Sequence, residues 1–245
     1  MHLLRRCLSL YRSLAGGGGR ASPVRLYGCD FDFGEFGDNP AIVRQTSLHT
    51  YEQREARFAR RAVRPGDRVL ELGGGLGVVS TIAAKSVDGG TLTVVEADGR
   101  LLPIIEGNLK LNGVTATLLH GAAFARDRLP ETAEVDFFLL PLFTGSSLTE
   151  PKARKILRKV SVPVLCLEDL LAQYDINVLL MDIEGAELDL LTWGALTGIR
   201  DIVCEFHQPL DDDRRRRAME RLAEMGFANQ TTSGKGQVVW MGRSD

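Results

Sequence analysis

The stretch RVLELGGGLGVVS at residues 68–80 constrains this chain more than any other. A short apolar run enters it, small and apolar residues leave it, and four glycines occupy five positions (73–77) between them. Glycine inside an element carries an entropic cost, so such a cluster implies a sharp turn or a close approach to bare backbone. A strand going in and a helix coming out make this a first βα turn. In open α/β sheets such turns lie at the carboxyl ends of the strands, where ligands bind.

The rest of the chain alternates in the same manner. Residues 50–63 form a helix with Thr50 as N-cap and Gln53 at the capping-box position. Strands are expected at 69–72, 92–96, 115–120, 178–182 and 201–206. Helices are expected at 78–86, 100–111 (closed by Asn112-Gly113), 168–174, 187–196 and 213–225. Two short runs around a glycine-containing turn, in FANQTTSGKGQVVWMG, close the chain as a hairpin. Alternation of this kind specifies an α/β, Rossmann-like, doubly wound and mostly parallel sheet with a C-terminal antiparallel hairpin. The run DDDRRRR (211–217) fits a solvated helix start with acid–arginine pairs four residues apart.

Charge divides the chain. Residues 1–29 hold five arginines and no acid. The remaining 25 basic residues face 32 acids, a net −7, a poor balance for binding nucleic acid. The first 29 residues are expected to be a basic, flexible arm, with organellar targeting or membrane-surface attachment as the alternative. Residues 30–245 are one domain, with a cap segment at about 30–64. No apolar run approaches the ~18 residues of a membrane span. Four cysteines without a CxxC pair fit a reduced, cytoplasmic protein. Oligomeric state is not legible.

Spacing selects the ligand. The dinucleotide fingerprint needs glycine at 78, where this chain has valine, and no Gly-Lys-Ser/Thr follows for a P-loop. Glu71, ending the first strand, would repel a pyrophosphate and suit an ammonium. Glu96, at the tip of the second strand with Ala97 beside it, can accept both hydroxyls of a ribose. The loop HGAAFA (120–125) offers small residues, Ala122 among them, for an adenine. A ribose, an adenine and an ammonium without phosphate describe S-adenosylmethionine. Glu71, Gly73, Gly75 and Gly77, followed by Glu96, resemble class I S-adenosylmethionine-dependent methyltransferases.

A second signature is more specific. LLMDIEGAELDLL (179–191) resembles the D-[VI]-E-G-A-E motif of the FkbM-type methyltransferase family, and the similarity runs in order over roughly residues 50–245. RDIVCEFH (200–207) resembles the strand that follows, with Glu205 and His207 at its tip. The chain has Glu71 where the family has Asp, Gly74-Gly75 for Ala-Asn, and Leu180 for a Lys. The resemblance implies methyl transfer from S-adenosylmethionine to an oxygen of a sugar or small metabolite. Asp182, Glu184, Glu205 and His207 are the catalytic candidates, and Asp182 also faces the cofactor side. A hydroxyl acceptor must lose a proton, so a base is needed. Metal-independent abstraction by His207 or Asp182, with Glu205 orienting, is preferred over a divalent cation held by Asp182 and Glu184. Glu187 stabilises a helix N-terminus. Two other readings stay open: a silent cofactor-binding module, for which Leu180 speaks, and a nicotinamide oxidoreductase, against which Glu71 and Val78 speak.

Overall fold

The computed structural model describes residues 23–150, 155–207, 212–233 and 237–243. Residues 1–22 of the expected basic arm lie outside that range. The domain starts earlier than residue 30, however. β1 (Val24–Leu26) and β2 (Cys29–Phe31) pair as a hairpin. Leu26 and Cys29 are buried in the core, so apolar burial draws these residues out of the arm.

Two helices follow: α1 (Pro40–Ser47), capped by Asn39, and α2 (Gln53–Ala62). Thr50 is not the cap of α2. Glu52 occupies that position in left-handed backbone (φ +48°), while the Thr50 hydroxyl donates to the Gln45 carbonyl. Then come β3 (Arg68–Leu72), α3 (Val78–Ser86), β4 (Thr91–Glu96), α4 (Leu102–Leu111) and β5 (Thr117–His120). Next are β6 (Ala122–Phe124), β7 (Glu134–Leu139), β8 (Arg158–Cys166) and α5 (Leu167–Gln173). The chain continues through β9 (Val178–Met181), α6 (Glu187–Trp193), β10 (Asp201–Glu205), α7 (Asp213–Glu224), β11 (Phe227–Ser233) and β12 (Val238–Arg243).

Seven strands form the main sheet in the order β11-β12-β10-β9-β3-β4-β5. β5, β4, β3, β9 and β10 are parallel, and β12 and β11 are antiparallel. The fold is thus Rossmann-like with a closing antiparallel hairpin. Chain order reverses between β3 and β9, and that switch point is where the first βα turn sits. Core clusters cover both faces of the sheet. Leu76, Val94, Ile105 and Phe58 belong to one; Leu70, Leu179, Leu191 and Phe206 belong to the other.

The stretch 120–125 is not the open loop expected from its small residues. Ala122–Phe124 is β6, which pairs parallel with β8, and β8 pairs antiparallel with β7. At α7, the Asp212 side chain caps the helix by accepting from the Arg214 and Arg215 N–H groups. Asp213 meets Arg216 one turn on, at 3.0 Å, rather than Arg217. Arg215 is buried over the Phe206 ring, and Asp211 lies outside the described residues. No helix among the described residues is long and apolar enough to cross a membrane.

Candidate active site

The carboxyl ends of the parallel strands open on a cleft of about 690 Å³. That is the size range of pockets that hold nucleoside-sized ligands, roughly 300–1,000 Å³. Glu71, Gly73, Gly75, Glu96, Ala97, Ala122, Asp182, Glu184, Glu205 and His207 all line it. Gly77 does not.

Three of the four glycines are demanded by the protein's own packing. At Gly73 (φ +85°) a Cβ would collide with the Asp182 carbonyl oxygen. At Gly74 it would lie 2.7 Å from the Ile105 and Val94 side chains. Gly77 is the left-handed N-cap of α3, pressed against the Ile105 backbone. Gly75 differs: its φ is +53°, and the nearest atoms to a Cβ are Glu52 Oε1 at 3.4 Å and the Phe143 ring at 4.0 Å. Of the two turn glycines that line the cleft, Gly75 is the one where a Cβ would meet no backbone.

Glu96 is tied to the same turn. Its Oε2 accepts from the Gly75 N–H at 3.0 Å and its Oε1 from the Asp98 N–H at 2.8 Å. A carboxylate has about four acceptor positions, so these bonds leave acceptor capacity to spare. Burial raises the Glu96 carboxyl to about 7, with the neighbouring Asp98 charge adding, against the pull of those N–H bonds. Asp98 is itself held by the Arg100 guanidinium. Glu71 is 2% exposed, and its Oε2 has no hydrogen-bond partner. Burial pushes its carboxyl well above the ordinary range. The Ala97 carbonyl meets the His120 ring at 3.1 Å, and Ala122 is buried at the start of β6.

The second cluster stands where β9 and β10 end. β9 stops at Met181, so Asp182 and Glu184 lie in the turn beyond it, and the turn rather than the strand pleat sets where their side chains point. Glu184 (φ +56°) and Gly185 (φ +115°) make the turn. His207 Nε2 lies 3.6 Å from Asp182 Oδ1 and 3.4 Å from Glu184 Oε2. Its Nδ1 lies 2.8 Å from Glu187 Oε1. The partner that orients His207 is therefore Glu187 and not Glu205. Glu187 is fully buried and also accepts from the Ile183 and Gly185 N–H groups, at 3.3 and 3.0 Å. From the sequence it is a helix-end charge; only the fold brings it under the ring.

Charge crowding governs protonation here. Burial, then the Glu205 charge, raises the Asp182 carboxyl well above its usual value, and burial raises Glu205. Burial alone would lower His207; its bond to Glu187 and the Asp182, Glu187 and Glu184 charges outweigh that and raise it to about 9. Sequence reasoning also missed Glu52. It lines the cleft, and burial raises it to about 8. A glutamate in left-handed backbone ahead of a helix leaves no recognisable pattern in the sequence.

A family model described as the methyltransferase FkbM domain matches residues 87–228, more than half of the chain. A ribosomal protein L11 methyltransferase of Thermus thermophilus is 37% identical over 83 residues, 34% of this chain and 32% of that protein. One from Thermotoga neapolitana is 28% identical over 80 residues, 33% of this chain and 30% of that one. The matched region thus spans about a third of the length of these curated relatives. Among solved structures, a ribosomal protein L11 methylase from Lactobacillus delbrueckii subsp. bulgaricus aligns with a TM-score of 0.44 and 17% identity, over 80% of each chain.

Proposed function

This chain belongs to the FkbM methyltransferase family, and we propose that it transfers a methyl group from S-adenosylmethionine to a hydroxyl of a sugar or small metabolite. The observation that carries this reading is Glu96. A buried carboxylate is anchored to the Gly75 N–H of the glycine turn with acceptor capacity to spare, at the tip of the strand beside the switch point. That spare capacity suits the hydroxyls of a ribose. Glu71, buried with an unpartnered oxygen and lining the cleft, suits the ammonium of the methionyl part. Gly75 offers backbone that a side chain would cover, and Ala97 and Ala122 leave room for the adenine.

When bound, the cofactor supplies an electrophilic methyl on a sulfonium, whose leaving group is neutral. The protein's work is then alignment of the acceptor and removal of its proton. Asp182 and His207 both line the cleft at the carboxyl ends of the strands, which supports a role in removing that proton. Their Oδ1 and Nε2 face each other at 3.6 Å, and these are the two groups assigned to receive it. Glu205 borders the same space.

Mass spectrometry of the purified protein tests the cofactor directly, with retained S-adenosylmethionine or S-adenosylhomocysteine expected. Calorimetric titration is expected to give one site per chain. Labelled methyl transfer to pools of sugars and hydroxylated metabolites tests the acceptor. Absence of binding overturns the proposal; binding with no turnover on any pool leaves the silent module.

A further inference from the structure

We propose that the cluster where β9 and β10 end is a site for one divalent transition-metal ion, held by Asp182, Glu205 and His207. One ligand atom from each of these residues lies within 4.8 Å of the other two. Asp182 and Glu205 follow the paired ends of adjacent parallel strands, Met181 opposite Cys204, so the main sheet itself sets them side by side. The sequence favours a metal-independent site over a cation held by Asp182 and Glu184; the geometry offers a different set, with Glu205 and His207 beside Asp182.

Two independent observations point to an ion. The first is the orientation of His207. Glu187 engages Nδ1 at 2.8 Å from a fully buried position and is itself fixed by two backbone N–H groups. That leaves Nε2 aimed at the carboxylates. A carboxylate behind a ring whose other nitrogen faces acids is the outer-shell arrangement of metal-bound histidine. The second is the spacing and the unmet demand at Asp182. Nε2 stands 3.4–3.6 Å from the nearest carboxylate oxygens, longer than an N–H···O bond of 2.7–3.2 Å. Asp182 Oδ1 is buried with no hydrogen-bond partner. Ligands sharing an ion at about 2.0–2.2 Å stand roughly 3–4.4 Å apart, so the cluster needs to close by only a few tenths of an ångström.

Charge agrees. Glu52, Glu55 and Glu184 also line this part of the cleft, and Arg54 is the one Lys or Arg among the lining residues. One imidazole with two carboxylates favours Mn²⁺ or Zn²⁺ over Mg²⁺ or Ca²⁺, which prefer all-oxygen sets. The ion's binding does not depend on the methyl-transfer reading, but its task does. Beside an ion a hydroxyl acceptor is acidified. With Asp182 and His207 occupied as ligands, the O–H bond breaks and its proton goes to Glu184, which lies outside the ligand set. The electron pair left on oxygen is then free to take the methyl.

Mn²⁺ titration of the full-length protein, followed by electron paramagnetic resonance, tests the site. We expect one Mn²⁺ per chain, a nitrogen coupling from the imidazole, and resistance to a large excess of Mg²⁺. His207→Ala should abolish the nitrogen coupling and weaken Mn²⁺ at least tenfold, and Glu205→Gln should weaken it similarly. Glu187 is a positioning residue: Glu187→Gln should weaken Mn²⁺ about 10- to 100-fold while keeping the nitrogen coupling at saturation. No stoichiometric Mn²⁺ in the wild-type protein, no nitrogen coupling, or equal affinity in His207→Ala overturns the site. Calorimetry with S-adenosylmethionine on the same wild-type sample separates the two proposals. Mn²⁺ without cofactor binding removes the methyl-transfer reading and keeps the ion, and the reverse removes the ion alone.

Discussion

Glu96 tests the proposed nucleoside pocket with a single atom group. Hydrogen bonds to a charged partner contribute about 1.5–3 kcal/mol each, less what water recovers. Glu96→Ala should therefore weaken S-adenosylmethionine about 10- to 100-fold by calorimetry, with Glu96→Gln between the two. Affinity should also depend on pH. The carboxyl of the free protein titrates near 7. Binding that requires the ionised form is complete above that value and falls about tenfold at pH 6. Wild-type affinity in Glu96→Ala would displace the pocket. The glycines make a paired test. Gly75→Ala meets only ordinary contacts and a left-handed φ, so the domain should fold with weakened cofactor binding. Gly73→Ala collides with the Asp182 carbonyl and should destabilise the domain itself. Glu96 was legible from sequence because a strand end places it. The distinct tasks of Gly73 and Gly75 were not, because they depend on Asp182, more than a hundred residues away.

Among the elements, the parallel strands were the most legible, since short apolar runs bounded by turn residues have few other uses. Boundaries moved by one to three residues, as fraying ends do. The β6-β8-β7 sheet escaped because β8 carries Pro163 and a mixed pattern, and its pairing with β6 spans some forty residues. α7 shows how a charge run is redistributed on folding. Asp212 accepts from two N–H groups of the first turn, whereas Asp213 makes an exposed pair with Arg216. Asp212→Ala should cost about 1 kcal/mol in urea unfolding. Asp213→Ala should stay within about 0.5 kcal/mol, because exposed pairs contribute little. Equal losses would mean the cap is not formed. At the ends of β9 and β10, Asp182→Asn should lower turnover by about 10²–10⁴-fold on a verified acceptor, whether Asp182 is base or ligand. Near-normal turnover would move proton removal elsewhere.

Across the whole molecule, the two edges of the sheet divide the labour. The carboxyl ends carry crowded, under-partnered acids. The opposite edge carries a satisfied network. Asp67, ahead of β3, receives both terminal nitrogens of Arg200 at 2.7 and 2.8 Å and the Asn177 amide at 3.0 Å. Asn177 and Arg200 stand just ahead of β9 and β10. Arg200 also reaches Asp201 and the Ala62 carbonyl, and Asp201 accepts from the Trp240 indole on β12. Four strands and the end of α2 are joined in one buried network. Burial would raise the Asp67 carboxyl, but Arg200, the Arg64 N–H and Asn177 outweigh it and hold it below its usual range. Asp67→Asn leaves Arg200 short of a partner in a buried setting and should cost about 3 kcal/mol or more in chemical unfolding. The pH dependence has a definite sign. A carboxyl whose folded pKa lies below its unfolded value, near 3.9, stabilises fully above that value and loses the contribution as pH falls through the folded one. The gap between wild type and Asp67→Asn should thus hold constant from pH 7 to about pH 5 and shrink only below about pH 4. S-adenosylmethionine affinity at saturating fold should be the same in both proteins, because the network lies at the far end of the strands from the cleft. A variant that lost cofactor affinity while folded, or a gap that closed on raising the pH, would show that the two edges are not separable.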